Sequence, residues 1–350
     1  MPLEILGVVK INNLTICIFT YNREHQLLET LKKLYLQTNQ NFDIYIADNH
    51  SDFEYSSIRK FLDEHFNGRY KIHIREHNVG AVKNYFKGIY ETKSKWVWAI
   101  ADDDIPEDNA VEKIYREINE YDDAICICAT LANMPFVDHH ITLNSIEEFI
   151  SLYYPSYLFK SNSWHGDLIW SSNKIYRTDQ IRKMIGDLVS LFSNFQFPST
   201  LLILFALRKK LKVVYTDSRI IHYNDSGIGW NIRETILSTL QLKEIQFTRN
   251  YTFEKKLRRI VAFHISELYK LFFLIDRYDI EEEDFIWKMY MGLYKEILPF
   301  HQRLQMLFVS KVSRSKKGFC LIRYLVNKHF TKSKKRNVIK NNIKRILRRA

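Results

Sequence analysis

The sequence predicts an α/β fold, a mostly parallel sheet flanked by helices, followed by a helical subdomain and a basic amphipathic tail. Three observations lead there. Over the first 130 residues, short apolar runs alternate with segments whose apolar residues recur every three or four positions, the pattern of repeated βα units. From about residue 232 to 308 the helical spacing continues alone, as in Ile260, Phe263, Leu268 and Leu271. Residues 311–350 hold 15 Lys plus Arg and no Asp or Glu, so the net charge of +12 belongs to the tail and the remainder carries −3.

Each element follows from its own pattern. The predicted strands are Leu14–Thr20, Asp43–Asp48, Lys71–Arg75, Trp96–Ala101 and Ala124–Thr130. After the first strand, Leu27, Leu28, Leu31, Leu34 and Tyr35 fall on one helical face. Ser51 or Asp52 is expected to cap the next helix, which runs through Ile58, Phe61 and Leu62. From Ser145 to Asn231 the pattern is mixed, with strands expected at Asp167–Arg177 and Lys212–Thr216. The expected domains are 1–231 for the sheet, 232–312 for the helical subdomain and 313–350 for the tail.

Composition bounds the class. At 46% apolar and 14% aromatic residues, a chain of 350 residues buries a sizeable core and is not disordered. Cys17, Cys126 and Cys128 lie in apolar runs and read as reduced core residues; alternation puts the Cys126 and Cys128 thiols on one strand face. The segment Met1–Lys10 has no basic start followed by a long apolar core, and the longest apolar run, Leu201–Leu207, is far short of a membrane span. A cytoplasmic location is therefore expected. In the tail, Phe319, Ile322, Val326 and Phe330, then Ile339, Ile343, Ile346 and Leu347, form apolar faces backed by Lys and Arg, as in helices lying on an anionic leaflet. This favours the inner face of the cell membrane over nucleic acid as partner.

The chemistry concentrates at strand ends. Asp102-Asp103-Asp104 directly follows the apolar run Trp96–Ala101. Clustered carboxylates repel one another unless a cation neutralises them, and hard oxygen ligands favour Mg²⁺ or Mn²⁺; the competing reading is a solvated turn capping the helix beyond Pro106. Thr20-Tyr21-Asn22-Arg23, Asp48-Asn49-His50-Ser51-Asp52 and Asn78-Val79-Gly80 mark the ends of the first three strands. Singly each is an ordinary turn. Together they line the edge of a parallel sheet where ligands bind.

In these four motifs, and in their order and spacing, the chain resembles the family-2 inverting glycosyltransferases of GT-A fold over residues 12–225. The resemblance implies that Thr20, Tyr21, Asn22, Arg23 and Asp48 line a nucleotide pocket, with Asn78, Gly80, Lys83 and Asp103 also near the donor. It implies a D-x-D pair in Asp102 and Asp104, holding Mn²⁺ or Mg²⁺ with His222 as a further ligand; Asp103 leaves the register open. The implied partners are a nucleoside-diphosphate sugar, a UDP-sugar by preference, and a glycan or lipid-linked acceptor. The implied role is bacterial surface-polysaccharide or lipooligosaccharide assembly.

An inverting transfer needs a carboxylate to accept the acceptor's proton. Many family members place it in a Glu-Asp pair opening a helix, yet here that stretch is Phe197-Pro198-Ser199-Thr200-Leu201-Leu202. Asp167 is the expected substitute and Asp187 the second. Trp164 and Trp230 are candidates to stack on a sugar or to pack in the core. A pyrophosphorylase and a dinucleotide-binding dehydrogenase are disfavoured, since Thr20–Arg23 contains no glycine. An inactive transferase-like scaffold and a nucleic-acid-binding protein are the remaining alternatives.

Overall fold

The computed structural model describes residues 13–131, 140–159, 171–191, 197–222, 245–257, 260 and scattered positions between 304 and 325. The chain divides into two compact units, Met1–Gly229 with Ile245–Phe253, and Trp230–Glu244 with Glu254–Ala350. Most of the second unit, and with it most of the expected helical subdomain and tail, lies outside the described residues.

The first unit is built on one nine-stranded sheet. Its elements in chain order are β1 (Leu14–Thr20), α1 (Glu24–Tyr35), β2 (Asp43–Asp48), α2 (Ser56–His65), β3 (Tyr70–Ile74), α3 (Ala81–Glu91), β4 (Trp96–Ala101), β5 (Ile105–Pro106), α4 (Ala110–Glu120), β6 (Cys126–Leu131), β7 (Ile141–Leu143), α5 (Ile146–Phe159), β8 (Lys174–Arg177), α6 (Thr178–Leu191), α7 (Pro198–Arg208) and β9 (Val213–His222). The strand order is β3-β2-β1-β4-β8-β6-β9-β5, with β7 also pairing with β9. The run β3-β2-β1-β4 is parallel, as is β6 with β9; β8 inserts antiparallel between β4 and β6.

The strand sequences explain this layering. Strands β1 and β4 are apolar almost without break because both their faces are covered. On one face Ile16, Ile18, Ile46, Trp98 and Ile100 pack with Leu27, Leu31, Ile58, Leu62, Val111 and Ile114 from α1, α2 and α4. On the other lies α3, whose Gly88 lets the helix approach closely: a Cβ there would stand 2.6 Å from Phe19 Cε1, 3.0 Å from Cys17 Sγ and 3.1 Å from Ala47 Cβ. Cys17, Cys126 and Cys128 are buried and free, with the last two thiols 3.8 Å apart as alternation requires.

Several expectations need correction. Neither Ser51 nor Asp52 caps α2, which starts after Tyr55 with no side-chain cap, because both residues are recruited by loops described below. The strand expected at Lys71–Arg75 is β3, Tyr70–Ile74, and the one expected at Ala124–Thr130 is β6, Cys126–Leu131. The strand expected at Lys212–Thr216 continues through His222. Of Asp167–Arg177, only Lys174–Arg177 is a described strand. The region read as mixed contains α5, α6 and α7. Among the described residues no helix is long and apolar enough to cross a membrane.

Candidate active site

The order of the parallel strands reverses direction at β1, and in sheets of this kind the crevice beyond the carboxyl ends at such a point is the binding site. Strands β1 and β4 are in register, Phe19 opposite Ala101, so Thr20–Arg23 and Asp102–Asp104 leave the sheet side by side. The acidic turn is fixed by its backbone. Asp102 N donates to Phe19 O at 3.2 Å, Thr30 Oγ1 donates to Asp102 O at 2.8 Å, and Ala101 N donates to Ser172 Oγ at 2.9 Å.

The carboxylates are set at different depths. Asp102 and Asp104 are buried, at 2% and 8% exposure, while Asp103 is half-buried. Arg23 forks across two of them, 3.1 Å from Asp102 Oδ1 and 2.7 Å from Asp103 Oδ2. Burial pushes the Asp102 carboxyl up to about 6, and the Thr20 hydroxyl and Arg23 only partly offset it. Asp102 Oδ2 and Thr20 Oγ1 are both buried without a hydrogen bond of full geometry. A buried carboxylate oxygen met only by the poorly aligned Thr20 hydroxyl, beside two further carboxylates, is the donor set a hard divalent cation fits.

The three neighbouring loops are sewn together by side chains. Asn22, at φ 54, donates its backbone N–H to Ser51 Oγ at 2.8 Å and its side-chain amide to Asp52 Oδ2 at 3.1 Å; Asp52 N returns a bond to Asn22 Oδ1 at 2.7 Å. Asp48 is fully buried and accepts from Ser51 N at 3.0 Å and Ser51 Oγ at 2.5 Å. Burial and the Asp48 carboxylate together raise the Tyr55 phenol well above its usual range. Asn49 donates to Asn78 Oδ1 at 2.8 Å and accepts from Val79 N at 2.9 Å, and Asn78 Oδ1 also takes Gly80 N at 2.9 Å. His50 and Gly80 hold φ of 71 and 85, and Gly80 leads directly into α3, whose first turn carries the half-buried Lys83. Tyr21 is exposed at the rim.

Strand β9 reaches the same edge: His222 is its last residue and pairs with Ile105, next to Asp104. Its Nε2 lies 2.5 Å from Glu107 Oε1. His222 and Glu107 line a cavity of about 440 Å³ with Lys33, Ile105, Pro106 and Asp108. Nothing in the sequence separates Glu107 from other acids near a helix start, so only the structure brings it to this edge. Ligand atoms of Asp102, Asp104 and His222 do not close into one tight group; among the described residues only Glu117, Glu120 and His140 do.

The two expected proton acceptors fall in different places. Asp187 lies on the exposed side of α6, which packs against α3; Asp167, Trp164 and Trp230 fall outside the described residues. The first turn of α7 holds no acid, and its Ser199 is buried with Oγ unpaired.

Comparison with known proteins bears on this geometry. A model of glycosyl transferase family 2 matches residues 15–184. No curated protein matches. Residues 1–349 of S. aureus TarS, in complex with UDP-GlcNAc, align with a TM-score of 0.61 at 14% identity, covering 92% of each chain. The chain spans 55% of a longer S. aureus TarS structure. The mannosyltransferase PcManGT from Pyrobaculum calidifontis, in complex with GDP-Man and Mn²⁺, aligns with a TM-score of 0.51 at 8% identity, covering 91% of this chain and 87% of that one. Such likeness shows the fold, which is GT-A.

Proposed function

We propose that this chain, a family-2 glycosyltransferase through residues 15–184 and GT-A in fold, moves a sugar with inversion from a nucleoside-diphosphate sugar to a hydroxyl of a glycan or lipid-linked acceptor. The observation that carries the reading is the Asp102-Asp103-Asp104 turn at the strand-order reversal, with Asp102 and Asp104 buried and Asp102 Oδ2 lacking a well-aligned hydrogen bond. Asp102 and Asp104 would hold Mn²⁺ or Mg²⁺, and His222, which ends β9 opposite Ile105 and is now paired with Glu107, would join them only by leaving that partner. When bound, the ion supplies Lewis-acid stabilisation of the departing diphosphate. Arg23 holds Asp102 and Asp103 in place, and the clasped loops around Asp48, Asn78, Gly80 and Lys83 receive the nucleoside. Asp167, then Asp187, is the assigned proton acceptor.

The likeness to a UDP-GlcNAc complex supports a UDP-sugar donor, and the likeness to a Mn²⁺ complex supports the metal. The basic tail supports attachment to the inner, anionic face of a bacterial membrane, where surface polysaccharide or lipooligosaccharide acceptors are built. A second reading, a donor-binding protein without transferase activity, is favoured by one observation: the buried Ser199 stands where the acid-bearing helix turn is expected.

Thermal unfolding measured with UDP, GDP and their sugars, each with and without Mn²⁺, tests both. One nucleotide is expected to raise the melting temperature by several degrees only with Mn²⁺, and Asp104→Ala to abolish that rise. Absence of any nucleotide effect, or an Asp104→Ala response equal to wild type, refutes the donor site. Binding without release of nucleoside diphosphate, with any glycan acceptor, selects the inactive reading.

A further inference from the structure

We propose that Glu117, Glu120 and His140 form a second divalent-cation site, of the carboxylate-imidazole type that takes Zn²⁺, at the far end of α4 from the acidic triplet. The two glutamates are one helical turn apart and share a face. Counted from the start of α4 they lie about 10–15 Å along its axis, at 1.5 Å per residue, so the ion would be separate from the donor metal. His140 approaches them from the segment entering β7, and Asp217 and Ser218 from β9.

Glu117 points to a ligand. Its side chain is 1% exposed; Oε1 accepts from the Ser218 hydroxyl and lies 3.5 Å from Arg116, but Oε2 is buried without a hydrogen-bond partner. Leaving a buried carboxylate oxygen unpaired is costly, so such an atom calls for an unseen partner. That oxygen is 3.9 Å from His140 Nε2, and Glu120 Oε1 is 3.7 Å from His140 Nδ1. One donor atom from each of the three residues falls within 4.8 Å of the others. A tetrahedral ion with bonds of about 2.1 Å sets its ligands about 3.4 Å apart, so separations of up to 4.8 Å must shorten by as much as about 1.4 Å, a movement shared among the three side chains.

The surroundings suit an imidazole ligand. Metal-bound histidines hold their other ring nitrogen in a hydrogen bond: with Nε2 on the ion beside Glu117 Oε2, the Tyr121 hydroxyl at 2.6 Å holds Nδ1, and Asp217 Oδ1, now 3.3 Å from Nε2, exchanges that contact for the ion. Glu117, Glu120 and Asp217 outnumber the positive charge of Arg116, so a divalent ion balances the cluster. Mixed imidazole and carboxylate donors select Zn²⁺ over Mg²⁺. The ion would tie α4 to β9, the strand whose end presents His222 beside the triplet. The competing account is a metal-free network of His140 with the three carboxylates and Tyr121.

The test uses the full chain, stripped with a chelator and kept free of nucleotide, titrated with ZnCl₂ against a chromophoric chelator and followed by thermal unfolding. One Zn²⁺ per chain is expected, raising the melting temperature by roughly 5 °C or more at a hundredfold excess over Kd. His140→Ala and Glu120→Ala should lose both the ion and the rise, while Asp104→Ala keeps them. Glu120 is half exposed, so its truncation leaves the core packed and the chain folded. A wild-type chain without stoichiometric Zn²⁺, Zn²⁺ retained in either His140→Ala or Glu120→Ala, or Zn²⁺ lost in Asp104→Ala overturns the proposal.

Discussion

Burial sets Asp102 at about 6 against an ordinary carboxyl value of 3.8, which gives its charge a definite sign in folding. The folded chain keeps this proton to higher pH than the unfolded chain does. The stability associated with Asp102 therefore declines between pH about 4 and about 6 and stays reduced above that window. The ionised carboxylate costs about 1–3 kcal/mol in the cation-free protein. Asp102→Asn should accordingly raise stability by about that much at pH 8, with no gain at pH 4, while removing Mn²⁺-dependent nucleotide binding; urea titrations at the two pH values measure it. The triplet itself is legible in the sequence because three adjacent acids closing an apolar run are costly without a cation. That Arg23 bridges two of them is not, since the pairing spans 79 and 80 residues. Asp48 is legible as a strand-end acid, but its engagement by Ser51 is not.

At the scale of elements, α3 joins the clasped loops around Asn49 and Asn78 to the sheet, and Gly88 is where it comes closest. Gly88→Ala is expected to cost about 1–3 kcal/mol through overpacking against Phe19, Cys17 and Ala47, read as a lower denaturant midpoint with an unchanged slope. Strands β1, β2 and β4 have the bounds read from their apolar runs because a covered parallel strand is apolar throughout. Helix α7 is hidden for the same physical reason: Leu201 to Leu207 are all buried, so no polar face marks its period. The cap expected for α2 fails because a local motif competes with partners that local reading does not see; Asp52 binds Asn22, 30 residues earlier.

For the whole molecule, the contrast between a basic tail and a net-negative remainder leads to a separable prediction. Removing residues 313–350 should abolish flotation with anionic vesicles at moderate salt and leave the nucleotide-induced thermal shift intact. Retained flotation would mean that the membrane-binding surface lies elsewhere. The clasp that joins Asn22 to Asp52 and Asn49 to Asn78 couples loops 29 and 30 residues apart in the chain. Residues in one network do not contribute additively. In a library selected for a changed donor, improved clones will therefore carry paired substitutions spread over two or three loops, and gains found singly will not combine.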